Sequence, residues 1–536
     1  MMNAMKRLAA RLTKTPRRLW TVSFVIFFAL AAAWSVSTPT GASPDEHAHY
    51  IRAAAVARGQ FEGREVMVPH NVGGIDGKFA ETGVQLPKWY QELKTVNSCY
   101  AFQGWQPASC APALGNSGET AEVTTAAGRY NPLYYLAVGW PSRLVPGEAG
   151  LYLMRLVSAA ICAALAASAV LSAAEWRRRS FPLLGLVAAA TPMALFMFGV
   201  VNPSGPEIAA GILVWSTVLP VLMEPDPKLL NRRLARLGVG AVVLINIRPL
   251  GIIWFCAAVA AALVLQQRSA LRSVVTRRAA WFWGLCAVVA MAGALAWTKA
   301  HPDNSVIQTK GTLTPLLAAR KTFDNSLVYF KQMVGYFGWL DNEPPAATLL
   351  VWCGIVLMLL LLALCFSRVR EAVALLGLTA GLIIVPVAAQ TAQSDLGMVW
   401  QGRYLLPFAV GLPLTAAAVC AQRAPRGGMP WRRLIGLSVF SLAAVNVAGF
   451  VWALRRNTVG VNGPLLLSPA KWAPPVGWPV WVVVYALAAL LLAALVLALS
   501  RDEESRSATE PGESSADSGG GAGRRHRRVT AIPADA

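Results

Sequence analysis

The sequence predicts an all-α, polytopic membrane protein of about twelve transmembrane helices, each an apolar run of the length a bilayer requires. Three observations carry this. Of the 536 residues, 55% are hydrophobic and only 14% are charged. Apolar runs of spanning length recur along the chain. Lys and Arg gather in the short gaps between those runs, as they do in cytoplasmic loops. The formal net charge of +21 would suggest nucleic acid in a soluble chain. Here the basic gaps orient helices, and no nucleic-acid partner is expected.

Taken in order, residues 1–19 are a basic cytoplasmic tail with Lys6, Arg7, Arg11, Lys14, Arg17 and Arg18 and no acid, and residues 20–36 form the first span. A cleaved signal ending at Thr40-Gly41-Ala42 is the rival reading, although the run is longer than the apolar core of an ordinary signal. Residues 37–150 are then the first extracytoplasmic loop, too long for a simple connection. It opens with Ser43-Pro44-Asp45-Glu46-His47-Ala48-His49-Tyr50, which packs two carboxylates and two imidazoles into five positions. Ser43 and Glu46, with Pro44 between them, read as a capping box starting a helix that continues through residues 48–57. Cys99 and Cys110 lie in this loop and can pair if it is extracytoplasmic. Cys162, Cys256, Cys286, Cys353, Cys365 and Cys420 fall in apolar runs and read as small buried hydrophobes.

Spans follow at residues 151–174, 181–201 and 206–223, with basic gaps between alternate pairs. Residues 237–266 are interrupted by Arg248-Pro249, so two short helices are expected to meet at an outer break with Arg248 facing a polar cavity. Residues 281–297 lead to a second large outer loop, 299–345. The remaining spans are 346–365, 372–389, 405–420, 434–454 and 480–499, which closes a multi-span domain of residues 20–499. Residues 500–536, rich in Ser, Gly and charge, read as a disordered cytoplasmic tail, so both termini are expected inside. Arg455, Arg456 and Lys471 go against the positive-inside preference near the last two spans.

On this topology the acids and bases collect at one side. Asp45, Glu46, His47 and His49 follow the first span, Arg155 begins the second and Glu207 opens the fourth. Arg248 lies at the outer break, and Asp341, Glu343, Asp395 and Arg403 flank outer helix ends. An ion-coupled transporter places such groups near the midplane and along a route to both sides. A one-sided outer cluster fits an enzyme acting on a sugar carried by a lipid phosphate: a carboxylate takes the acceptor hydroxyl's proton, and cations stabilise the departing phosphate. Asp45 is the first choice of base and Glu46 the second; Arg403 and Arg248 are the phosphate clamps, since guanidinium meets phosphate oxygens bidentately. Asp45 and His49, four residues apart on one helix face, are the pair that would share a divalent cation; no other cofactor is indicated. Each residue also has a purely structural role open to it. Asp45, Glu46 and Glu207 suit a first helical turn, and Arg155 and Arg248 can snorkel to the interface.

Pro44-Asp45-Glu46-His47 after a first span, Arg129-Tyr130-Asn131-Pro132-Leu133-Tyr134-Tyr135, Asn202-Pro203, Gly338-Trp339-Leu340-Asp341 and Gln401-Gly402-Arg403-Tyr404 occur in this order. Together they resemble the bacterial membrane proteins grouped as the domain of unknown function 2142 family, over residues 20–499. That family is similar to the GT-C glycosyltransferases, multi-span enzymes that use polyprenyl-phosphate sugars and place an acidic residue in the first outer loop. The resemblance implies a GT-C-like fold whose large first extracytoplasmic loop contains amphipathic helices. It implies Asp45 and Glu46 as the acidic catalytic motif and Gln401 and Tyr404 beside the two arginines at the donor. His47, His49, Arg129, Asn131, Asn202 and Asp341 would be supporting residues. The expected activity is that of a hexosyl- or pentosyltransferase in the bacterial cell membrane. Its partners would be membrane lipid, a polyprenyl-phosphate-linked sugar and an envelope glycan or lipid acceptor on the outer face. The alternative is a non-enzymatic transporter of lipid-linked glycans, or an accessory subunit of an envelope-assembly complex.

Overall fold

The computed structural model describes residues 15–72, 75–302, 313–394, 397–426 and 429–509. The first span, α1 (Pro16–Ser37), starts where Thr15 accepts from the Arg18 N–H and Pro16 supplies a preset φ. It turns Ile26, Phe27, Leu30, Ala31 and Trp34 inward. The loop that follows holds more than helices. Helix α2 (Glu46–Ala57) is followed by an antiparallel sheet in the order β1 (Arg64–Val72), β2 (Ile75–Pro87), β3 (Thr120–Thr125), with Met67 opposite Ala80 and Val84 opposite Val123. This sheet is absent from the sequence expectation of amphipathic helices alone. Cys99 and Cys110 are disulfide-bonded in the loop between β2 and β3. Short helices α3 (Pro132–Gly139) and α4 (Pro141–Leu144) return the chain to the bundle.

Helix α5 (Gly147–Ala174) lies along α1, and its small buried residues Ala159, Ala163, Ala166, Ala169 and Ala173 let the two backbones approach closely. The expected straight span 181–201 is instead two pieces, α6 (Ser180–Ala189) and α7 (Pro192–Phe198), bent by 68°. Pro192 is the cause, and the backbone groups it frees find partners. Thr191 accepts from the Ala194 N–H and donates to the Met333 carbonyl, while the Trp352 indole donates to the Ala188 carbonyl at 3.1 Å. Helix α8 (Ser204–Met223) is buried along its whole length and packs on α5 and α7. As expected from Arg248-Pro249, α9 (Leu230–Ile247) and α10 (Gly251–Val264) meet at a break over those residues, and both pack on α8.

Helices α11 (Arg268–Val275) and α12 (Arg278–Ala300) lead to the second loop, which contains α13 (Pro315–Asp324) and α14 (Ser326–Gly335). Then come α15 (Ala346–Phe366), α16 (Val369–Ala392), the consecutive α17 (Gly402–Ala409) and α18 (Gly411–Arg423), α19 (Trp431–Val459) and α20 (Trp478–Thr509). Among the described residues, nine helical segments are long and apolar enough to cross a bilayer, or ten with the bent pair counted as one span. The α9–α10 pair, too short or too charged to pass alone, accounts for the rest of the expectation of about twelve.

The helices α12, α15 and α16 present Leu285 (63% exposed), Leu350 (73%) and Ile384 (62%) outward, an apolar surface that belongs in lipid. The same physics corrects the reading of the cysteines. Cys162 and Cys420 are buried, Cys286 is half-buried, and Cys256, Cys353 and Cys365 are exposed.

One end of the bundle is tied by basic residues. Arg423 pairs with Glu371 at 2.8 Å, Arg233 and Arg236 with Glu175 at 3.2 and 2.5 Å, and Arg370 donates to the Gln266 carbonyl. The other end carries the sheet and both large loops. There Arg456 pairs with Asp341 at 2.7 Å and donates to the Tyr100 and Gln106 carbonyls, and Arg455 donates to the Gly463 carbonyl. These two arginines are used structurally, as anchors of the loops at this end.

Candidate active site

The segment between α1 and α2 is held from several sides before Asp45 is reached. The Gly41 carbonyl accepts from the Asn97 amide and the Trp339 indole, and the Asn202 amide donates to the Pro44 carbonyl at 3.1 Å. Asp45 then takes the left-handed conformation, φ 60°, that Asp tolerates better than most residues. Its own carbonyl accepts from the Ala48 and His49 N–H groups, so α2 starts without any side-chain cap. The capping box expected from Ser43 and Glu46 does not form, because Glu46 is taken elsewhere.

Glu46 and Arg155 are both fully buried and face each other. The Arg155 Nε donates to Oε1 at 2.9 Å and Nη2 to Oε2 at 2.6 Å, while the Val201 N–H also donates to Oε1. The rest of the guanidinium reaches the carbonyls of Ser35, Thr38 and Pro39 at the end of α1. Five N–H donors thus find acceptors, the condition under which a buried ion pair is tolerated. Glu46 is closed off from any substrate, and Arg155 is an anchor; neither the cap nor the snorkelling role applies.

Asp45 points the other way, with 47% of its side chain exposed, and its Oδ2 accepts from Arg403 Nη2 at 2.5 Å. Arg403 is brought there by Gly402 at the start of α17. A Cβ on Gly402 would lie 2.3 Å from the Tyr329 carbonyl oxygen, so only glycine allows α17 to approach α14 this closely, and its N–H donates to Gln332 at 2.6 Å. Arg403 is 1% exposed, and its Nη2 also reaches the Tyr404 hydroxyl at 3.3 Å. Its Nε and Nη1 have no hydrogen-bond partner among the described residues.

Arg248 approaches from the α9–α10 break. Its guanidinium lies 4.9 Å from the Tyr404 ring and 5.6 Å from the Tyr130 ring, while that of Arg403 lies 5.2 Å from Tyr404. The Arg248 Nε is 3.8 Å from Glu207 Oε2, too far for a hydrogen bond, and neither atom has another partner among the described residues. Glu207 therefore does not merely cap α8: it is the buried counter-charge of Arg248, with the Trp254 indole donating to its Oε1 at 3.2 Å.

Among the supporting residues, His49 shares a 2.8 Å hydrogen bond with Tyr135 through Nδ1. His47 lies 5.9 Å from the Trp339 ring in a stacked orientation. Asn202 Oδ1 accepts from the Ser204 N–H and is 3.5 Å from Arg248. Asn131 caps α3, and Gln401 stands at the N-cap position of α17 with its Oε1 buried and unpartnered. Arg129 pairs with Glu65 at 2.7 Å, and Asp341 with Arg456. Asp395 lies outside the described residues. Tyr130 and Tyr135, which the sequence shows only as part of a motif, and Trp254, which it does not mark, line this cluster.

Protein packed around the Asp45 carboxyl works to raise its pKa, and the charge and hydrogen bond of Arg403 outweigh that, leaving it below the ordinary value. Burial pushes His49 down to about 3, with Arg248 and Arg403 adding to the effect and Asp45 opposing it. His49 is thus a neutral ring at neutral pH. Among the described residues no third His, Cys, Asp or Glu joins Asp45 and His49, and the His49 Nδ1 is already engaged. This donor set does not make a metal site, and no step is drawn through a cation.

Three comparisons bear on the chain. A family model described as "Predicted membrane protein (DUF2142)" matches residues 27–412. No curated protein matches. Solved structures of ArnT from Cupriavidus metallidurans are similar over 91% of this chain and 78% of theirs. The apo state gives 13% identity and a TM-score of 0.43, and the state bound to undecaprenyl phosphate gives 15% and 0.38.

Proposed function

The chain belongs to the DUF2142 family of membrane proteins, and from that premise we propose that it is a GT-C-like glycosyltransferase moving a sugar from a polyprenyl-phosphate donor to an envelope glycan or lipid acceptor. One observation carries the reading: two buried guanidiniums flank Tyr404, with N–H donors of both left open, beside a half-exposed carboxylate. Buried cationic donors without partners are costly unless a ligand supplies acceptors, and a phosphate diester supplies two oxygens that share one negative charge.

In the proposed reaction the donor phosphate binds Arg403 and Arg248. In doing so it competes with Asp45 for Arg403, and the released carboxylate is free to accept a proton. The acceptor oxygen forms its bond to the anomeric carbon as the bond from that carbon to the phosphate oxygen breaks. The proton goes to Asp45 and the electron pair leaves on polyprenyl phosphate, whose charge the arginines stabilise. Glu46, sealed by Arg155, takes no part. The site sits at the loop end, opposite the basic end, so the positive-inside rule supports an extracytoplasmic reaction with both termini in the cytoplasm.

The test compares wild type with Asp45→Asn at equal expression in a deletion strain, profiling lipid-linked sugars and envelope glycans. Accumulation of one polyprenyl-phosphate sugar with loss of one linkage is the expected result. Wild-type behaviour would return the protein to the transporter or accessory-subunit reading.

A further inference from the structure

Outside the arginine cluster, a second feature begins two residues from Asp45. The His47, Trp339 and Phe102 rings form a row, His47 to Trp339 at 5.9 Å and Trp339 to Phe102 at 5.8 Å. Its far member is unusual twice over: Phe102 is 69% exposed, and its backbone is left-handed, φ 62°, where a bulky side chain is strained. An isolated exposed phenylalanine needs no explanation, but one held in a strained conformation does.

What holds it is a single buried carboxylate. Asp341 accepts from the Phe102 N–H at 3.0 Å and the Trp339 N–H at 3.1 Å, and is itself fixed by Arg456 at 2.7 Å. The Trp339 indole is pinned to the Gly41 carbonyl, in the segment that leads to Asp45. The loop bearing Phe102 is stapled by the Cys99–Cys110 disulfide, by Arg456 on the Tyr100 and Gln106 carbonyls, and by the Val461 N–H on the Gly104 carbonyl. The row is therefore held rigidly, with His47 and Trp339 half-buried and Phe102 its exposed end. Its surroundings are polar: the Lys94–Glu81 pair, 2.6 Å apart, is close enough for both charges to act on His47.

We infer that the His47–Trp339–Phe102 row is the acceptor subsite, a shelf on which a sugar ring of the acceptor glycan stacks its apolar C–H face. This rests on the transferase reading for the identity of the ligand as acceptor. A rigid aromatic face is suited to a sugar ring because the ring presents one apolar face and keeps its hydroxyls at the edge, free for solvent and for Asp45. The row is continuous with Asp45, so a glycan lying on it ends at the carboxylate. A lipid acceptor without a sugar would have no use for it.

The test uses the full chain in nanodiscs and saturation-transfer NMR with four neutral trisaccharides as probes, a glucan, a galactan, a mannan and an arabinan. Transfer to at least one is expected in wild type. Phe102→Ala should weaken it about five- to tenfold, the scale of one lost ring contact, and Phe102→Trp should restore it. Transfer to none of the four, or transfer that Phe102→Ala leaves unchanged, overturns the shelf. So does a nitroxide on Phe102→Cys that is relaxed by lipid-soluble oxygen rather than by an aqueous nickel chelate, because the ring would then face the bilayer. Failure of the transferase reading shows separately, as unchanged glycans in Asp45→Asn.

Discussion

At the scale of the residue, neighbouring carboxylates in one motif have opposite fates, and substitution separates them. Asp45→Asn removes the proposed base, for which a loss of about a hundred- to ten-thousand-fold in turnover is expected. It also frees Arg403, so binding of farnesyl phosphate, followed by phosphorus NMR in nanodiscs, should tighten by about tenfold. Unchanged or weaker binding would mean that Asp45 and phosphate do not share the guanidinium. Glu46→Gln or Arg155→Ala, by contrast, strips one partner from a sealed pair and should destabilise by about 3–5 kcal/mol, read as a large fall in Tm. His49 gives a pH signature. Its folded pKa of about 3 lies below the unfolded value of about 6.5, so the unfolded chain binds more protons between them, and stability falls as pH falls through that window. Tm measured from pH 7 to pH 4 should drop in wild type and flatten in His49→Phe. Asp45 has the same sign in a lower window: its pair with Arg403 stabilises above about pH 4 and is lost as pH falls further. The motifs holding Asp45, Arg403 and Arg248 were legible in the sequence because charge is conspicuous in an apolar chain. The sealing of Glu46 was not, because nothing local distinguishes a helix-capping acid from one whose partner lies 109 positions away.

At the scale of the element, the helices were legible wherever apolar runs had clear ends. The break at Arg248-Pro249 was read from the same proline rule that failed at Pro192. There the run continued on both sides, and only tertiary partners for the freed carbonyls allow the 68° bend. The sheet was missed although Val66-Met67-Val68 is a short run with β-branched residues and Gly73-Gly74 follows it in the sequence. Beside an excess of membrane helix, a run this short carried too little weight. Helix α17 gives the sharpest element-level test. Gly402→Ala must push α17 off α14, and because Arg403 is the next residue, donor affinity and turnover should fall together. The fall in Tm should exceed that of Ala substituted at the lipid-facing Gly377, which has nothing within 4 Å.

At the scale of the whole molecule, the chain is two-ended, with ion pairs at one end and the sheet, loops and arginine cluster at the other. Ser117→Cys, at the loop end, should react with a membrane-impermeant maleimide in intact cells, and Arg426→Cys, at the basic end, only after lysis. The reverse pattern would invert the proposed sidedness. The anchor made by Arg155 has a consequence for how the protein meets its lipid. It ties Asp45 to the last turn of α1, whose 22 residues span about 33 Å, close to the thickness of the hydrocarbon layer. Asp45 is thereby held near the plane of the headgroups. In the proposed reaction a phosphate carried on an isoprenoid reaches it by sliding sideways in its own leaflet, with the tail never leaving oil. What the protein senses is then the number of donor molecules per unit area of bilayer, a surface density that dilution of the surrounding water does not change.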